Sequence, residues 1–99
     1  MQIHFLGTGN AFNADGRATT AFLVQPAAAA PFLIDCGPNL MSSLIRFGLD
    51  FRGLDRLFLT HFHGDHVAGW PFLLLHLAIQ HAGAIRRPEL FLHGPKDSL

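Results

Sequence analysis

The sequence predicts an α/β (α+β) fold, a mixed sheet with its helices on one face. Three observations carry that prediction. Three short β-like segments separated by turn residues come first, and a strand–helix–strand–helix–strand alternation follows. The chain has 99 residues, 49% of them hydrophobic and only 14% charged. That suffices for one small core and is too apolar for a disordered segment.

Gln2–Leu6 alternates polar and apolar residues and runs into Gly7-Thr8-Gly9-Asn10, the pattern of a strand ending in a tight turn. Asn13-Ala14-Asp15-Gly16 is a second turn signal. Thr19–Val24, rich in β-branched and aromatic residues, predicts the second strand. In Pro26–Pro31 four alanines are flanked by prolines, which leaves no room for a helix and predicts a hairpin loop before a third strand at Phe32–Asp35.

Cys36-Gly37-Pro38 opens a helix, with Pro38 suited to its first turn. Leu40, Met41, Leu44 and Ile45 share its apolar face, Ser42, Ser43 and Arg46 the other, and Gly48 is its stop. Asp55–Thr60 is a strand whose Leu57-Phe58-Leu59 run suits burial on both faces. Trp70–Gln80 is a second helix, apolar nearly all round, so it is expected to be buried or to pack against a partner. Glu89–Leu92 is the last strand, ended by Gly94-Pro95.

Composition narrows the function classes. Seven Lys+Arg balance seven Asp+Glu, so the net charge of zero argues against a strongly basic nucleic-acid module. A single cysteine excludes an internal disulfide and a Cys-based zinc module. The start carries no basic targeting segment, and the longest apolar stretch, broken by His76, falls far short of the ~20 residues that cross a bilayer. The expected location is the cytoplasm, with no membrane partner.

Seven histidines stand against one lysine and one glutamate, and three of the seven fall within Thr60-His61-Phe62-His63-Gly64-Asp65-His66. This segment follows a buried strand, where α/β sheets place ligand sites. In an extended chain His61 and His63 point the same way and present both imidazoles to one ion. Gly64 turns the chain, so Asp65 and His66 leave in another direction and serve a neighbouring ion. Imidazoles with a carboxylate suit Zn²⁺, and also Mn²⁺ or Fe²⁺.

His61, His63, Asp65 and His66 match HxHxDH position by position, and the sequence resembles the metallo-β-lactamase superfamily. Leu6-Gly7-Thr8-Gly9, Ile34-Asp35-Cys36-Gly37, Leu59-Thr60 and His93-Gly94-Pro95 are similar to its ribonuclease Z-like branch. The resemblance implies the first half of an αββα sandwich and a binuclear metallohydrolase. His61 and His63 would bind the first metal, and Asp65 and His66 the second. Two Zn²⁺ would serve the complete site, and a hydroxide between them would attack a phosphodiester or ester. Asp65 would also orient the nucleophile or carry its proton, and Asp35 would orient a ligand imidazole.

A catalytic zinc takes about three protein ligands and a water, whereas the motif offers two side chains to each ion. The resemblance puts a further His, a bridging Asp and a final His downstream. Residues 1–99 are therefore expected to be the N-terminal part of a single metallo-β-lactamase-fold domain, inactive alone. The expected substrate is a small phosphodiester or ester. The alternative is tRNA cut by a ribonuclease Z-type 3′ endonuclease, disfavoured by Pro38-Asn39-Leu40 after Asp35-Cys36-Gly37 and by the single lysine. A third reading is an inactive fragment or assembly module, and a homodimer through the apolar helix is a further expected partner arrangement. Duller roles are expected elsewhere: Cys36 as a small buried hydrophobe, Arg17 as a surface side chain, His76 and His81 as ordinary helix histidines, His93 as a hydrogen-bonded structural residue.

Overall fold

The protein is described here by a computed structural model that covers residues 1–80 and 89–96. Its five strands are β1 (Gln2–Gly7), β2 (Ala21–Gln25), β3 (Phe32–Ile34), β4 (Arg56–Phe58) and β5 (Phe91–His93). They lie side by side in chain order. β1–β2 and β2–β3 are antiparallel, while β3–β4 and β4–β5 are parallel. The sheet is therefore mixed, as the three early hairpin-linked strands and later alternation predict.

β2, β3, β4 and β5 are each shorter than the sequence suggests, and for β2 and β4 the reason is visible. Thr19 makes only an isolated bridge to Gly9, because its N–H and hydroxyl turn to the Asn39 side chain instead, at 3.1 and 3.2 Å. β4 stops at Phe58 although the Leu59 N–H still reaches the His93 carbonyl at 2.7 Å. The Thr60 N–H leaves the ladder for the Asp35 carboxylate at 2.8 Å. The last strand begins at Phe91, two residues after its expected start, where the Phe91 N–H bonds the Asp55 carbonyl.

Helix α1 (Leu40–Arg46) follows the Gly37–Asn39 turn. Its end is a Schellman motif: Gly48 has φ +62°, its N–H bonds the Ile45 carbonyl, and the Leu49 N–H bonds the Leu44 carbonyl. The buried stripe is Leu40, Ser43 and Leu44, with Met41 packed beside it. Ser43 is thus buried and Ile45 is 62% exposed, the reverse of the expected assignment. The stripe follows the i, i+3, i+4 row rather than the i+5 position.

The motif segment contributes an element that the sequence reading did not anticipate. His63 is still extended, at φ −60° and ψ 142°, but Gly64–Val67 then forms a short helix, α2. The expected second helix becomes α3 (Trp70–Gln80).

Leu23, Leu33 and Leu57 occupy one register row and are fully buried. With Leu6 and Leu59 they join Leu40 and Leu44 of α1 and Leu73 and Leu77 of α3 in one core. Both long helices therefore pack on one face of the sheet. The other face carries Ile3, Phe5, Phe22, Val24, Phe32, Ile34, Phe58 and Phe91, in edge-to-face pairs such as Phe5–Phe22 and Phe32–Phe58. Of these, Phe5 is 70% exposed.

Candidate metal centre

The motif leaves the C-terminal end of β4 and is held there by main-chain bonds to the end of β3. The Asp35 N–H bonds the Phe58 carbonyl, the Cys36 N–H bonds the His66 carbonyl, and the Gly69 N–H bonds the Cys36 carbonyl, at 2.7, 2.7 and 2.9 Å. Two glycines allow this closeness. A Cβ on Gly37 would meet the Thr19 side chain and the Asp65 carbonyl, and one on Gly69 would collide with the Gly37 carbonyl. Neither close approach can be read from the sequence, because each depends on a segment distant along the chain.

Asp35 is the buried centre of the site. It has φ +60° and is 1% exposed. Its carboxylate accepts the Thr60 N–H at 2.8 Å, the Thr60 hydroxyl at 2.8–3.0 Å and the His66 Nδ1–H at 2.8 Å. The Thr60 oxygen also lies 2.9 Å from His61 Nδ1. Of these partners, Thr60 carried no role in the sequence reading. The signal available for it is its position, a hydroxyl immediately before the first histidine.

The three motif imidazoles converge. His61 lies 4.7 Å from His63 and 4.0 Å from His66, centroid to centroid. Helix α2 accounts for the second contact, since it brings His66 back beneath His61. Asp65 Oδ2 lies 3.3 Å from His66 Nε2. His61 and His63 are neighbours, as are Asp65 and His66, and His61 touches both groups.

The donor set is nitrogen and carboxylate oxygen, the chemistry of a divalent transition metal. Nδ1 of His61 and of His66 is engaged by Thr60 and Asp35, and of the two Nε2 atoms that of His66 stands beside the Asp65 carboxylate. Among the described residues no three or more His, Cys, Asp or Glu side chains stand ready to hold an ion. The imidazoles pack on one another rather than fan around a common point. The residues therefore fit a metal in donor type, while the four alone do not gather about one point or close a coordination shell.

The surrounding groups have structural partners. Burial pushes the Cys36 thiol up to about 12, with the adjacent Asp35 carboxylate adding to the effect, so Cys36 stays a neutral buried group. Asn39 accepts from Thr19 and from the Asn13 side chain, tying the β1–β2 loop to α1. Arg17, exposed, donates to the Thr8 hydroxyl at 2.7 Å. The His76 ring packs on Phe51, and His93 stacks on Phe58 at 4.6 Å, its carbonyl taking the Leu59 N–H. His81 lies outside the described residues. A cavity of about 330 Å³ opens beside the motif between Leu59, Phe62, Leu92, His93 and Lys96. Among the described residues no helix is long and apolar enough to cross a membrane.

Comparison with known proteins gives this geometry a family. The chain is 40% identical over 98 residues to a ribonuclease Z of Haloferax volcanii, covering 99% of this chain and 29% of that protein. It is 32% identical over 95 residues to the mouse (Mus musculus) zinc phosphodiesterase ELAC protein 1, covering 96% of this chain and 26% of that one. Among solved structures, the metallo-β-lactamase fold protein YhfI from Bacillus subtilis superposes with a TM-score of 0.81 at 25% identity, over 98% of this chain and 39% of that one. The chain thus spans less than a third of the length of these two curated relatives. A family model described as anti-Pycsar protein Apyc1 matches residues 1–97. The five-stranded mixed sheet, the HxHxDH loop at the C-terminal end of β4 and these matches together place the chain in the anti-Pycsar protein Apyc1 family, within the ribonuclease Z-like branch of the metallo-β-lactamase superfamily.

Proposed function

We propose that the chain supplies the metal-binding part of a metal-dependent hydrolase acting on a phosphodiester or ester, and that residues 1–99 form the N-terminal part of a single metallo-β-lactamase-fold domain. The observation that carries this reading is the gathering of His61, His63 and His66 beside Asp65, with two Nδ1 atoms already engaged by Thr60 and Asp35. His61 and His63 would hold one divalent ion through imidazole nitrogen, and His66 with Asp65 a second. Zinc is the proposed metal, in line with the relative named a zinc phosphodiesterase. Such ions would supply a water of lowered pKa and an electrophile for the phosphoryl oxygen. Asp65 would orient the attacking water or take its proton at a carboxylate oxygen. Asp35 holds the His66 ring through Nδ1 and keeps that ring from turning.

A small phosphodiester is the favoured substrate. tRNA is the second reading, supported by 40% identity to a protein named ribonuclease Z. We further propose a cytoplasmic location and a homodimer, the latter supported by the uncharged outer face of α3, where Phe72, Leu75 and Ile79 are each more than half exposed.

The test uses the polypeptide extended to the length of its relatives. Metal content and hydrolysis of bis(p-nitrophenyl) phosphate are expected to fall together in His63→Ala, by at least about tenfold in rate. Unchanged turnover in that variant rejects the role assigned to the motif. Residues 1–99 alone are expected to show no turnover, and turnover by them rejects the partial-domain reading.

A further inference from the structure

The Thr60 hydroxyl sits between two groups with opposite needs. Its oxygen lies 2.8 Å from Asp35 Oδ2 and 2.9 Å from His61 Nδ1. A hydroxyl has one proton to give and lone pairs to receive with, while a carboxylate only receives. Asp35 already takes the Thr60 N–H and the His66 Nδ1–H, so its oxygens offer nothing to the hydroxyl except lone pairs. If Thr60 gave its proton to His61, two oxygens would face each other at 2.8 Å with no hydrogen between them, close to a buried charge. The hydroxyl proton therefore belongs to Asp35, and His61 Nδ1 must be the donor to Thr60.

We propose that Thr60 is a positioning residue whose hydroxyl relays Asp35 to His61 and fixes that imidazole as its Nδ1–H tautomer, leaving the lone pair on Nε2. One buried carboxylate then sets two imidazoles, His66 directly and His61 through a single hydroxyl. The two rings are 4.0 Å apart, so fixing both tautomers also fixes which nitrogens of the pair remain as ligands. The β-branched side chain of threonine restricts χ1 and holds the hydroxyl in line. The consequence for metal binding rests on the proposed function; the tautomer does not, because it is set in the metal-free protein.

The experiment is long-range ¹H–¹⁵N NMR of the imidazoles in the metal-free 99-residue chain in mildly alkaline buffer, for the parent, Thr60→Val and Thr60→Ser. The parent is expected to show His61 and His66 both protonated at Nδ1. Thr60→Val is expected to move His61 to mainly Nε2–H and leave His66 unchanged, while Thr60→Ser keeps the parent pattern. A parent His61 protonated at Nε2, or a folded Thr60→Val with His61 unchanged, overturns the proposal. Zinc affinity read by competition with a chromophoric chelator is expected to drop about 10–100-fold in Thr60→Val and to be restored in Thr60→Ser. The expected tautomers with no zinc uptake by any variant support the relay and count against the metal reading instead.

Discussion

Asp35 combines a left-handed backbone, nearly complete burial and several hydrogen bonds at one residue. A non-glycine residue held at φ +60° costs about 1–3 kcal/mol and persists only where its surroundings enforce it. Here the enforcement is the set of donors from Thr60 and His66. Asp35→Ala strips those donors of their acceptor, and the expected loss is about 3–5 kcal/mol in urea unfolding. Asp35→Asn keeps one carbonyl acceptor and tolerates the left-handed backbone, so its loss should be clearly smaller; equal losses would show that the carboxylate is not the organising group. Cys36 gives a pH-dependent prediction. Its folded-state thiol is pushed up to about 12 from 9.0, chiefly by burial. The unfolded chain therefore releases its thiol proton first, and the stability owed to Cys36 is whole below about pH 9 and lost progressively as pH rises towards 12. Urea midpoints at pH 7 and 10.5 should diverge less in Cys36→Ala than in the parent, and the native thiol should resist a disulfide reagent. At this scale the four motif residues were marked out by residue type and spacing, and Asp35 by the resemblance alone. The Thr60 bridge and the backbone of Asp35 were not, because both are set by partners about 25 positions away in the chain.

Among the elements, the five strands and the two longer helices were legible and the four-residue α2 was not. The apolar run Trp70–Ile79 is α3 as expected, whereas α2 has only four residues and no periodicity to show. It forms because Gly64 turns the chain and because the Cys36–His66 main-chain bond fastens its middle. α3 also shows why composition alone misplaces burial. Leu73 and Leu77 face the core, while Phe72, Leu75 and Ile79, equally apolar, face outward. Leu73→Ala should cost about 2–5 kcal/mol and Leu75→Ala no more than about 0.5 kcal/mol, measured by denaturant unfolding. Phe72→Glu should leave stability nearly unchanged and shift the chain towards monomer in sedimentation. If association survives it, α3 is not the contact.

For the whole molecule, part of the sequence's excess of hydrophobic over charged residues lies on the sheet face opposite the helices. Ile3, Phe5 and Phe91 there are 53%, 70% and 50% exposed, and the chain has no net charge to oppose association. A hydrophobic dye should fluoresce strongly with the folded 99-residue chain, and replacement of Phe5 and Phe91 by threonine should weaken the signal without unfolding it. No enhancement by the parent would mean that this face is covered. The mixed sheet and helix placement were legible from element order; the bare face was legible only as a surplus, because register decides which residues share a side. The main-chain bonds among Cys36, His66 and Gly69 carry one more consequence. They tie the histidine loop to the end of β3, so it is expected to open together with the central strands rather than independently of them. The amide protons of Cys36 and Gly69 should exchange with solvent deuterium as slowly as those of β3, and any ion that enters the loop would slow the exchange of the whole sheet.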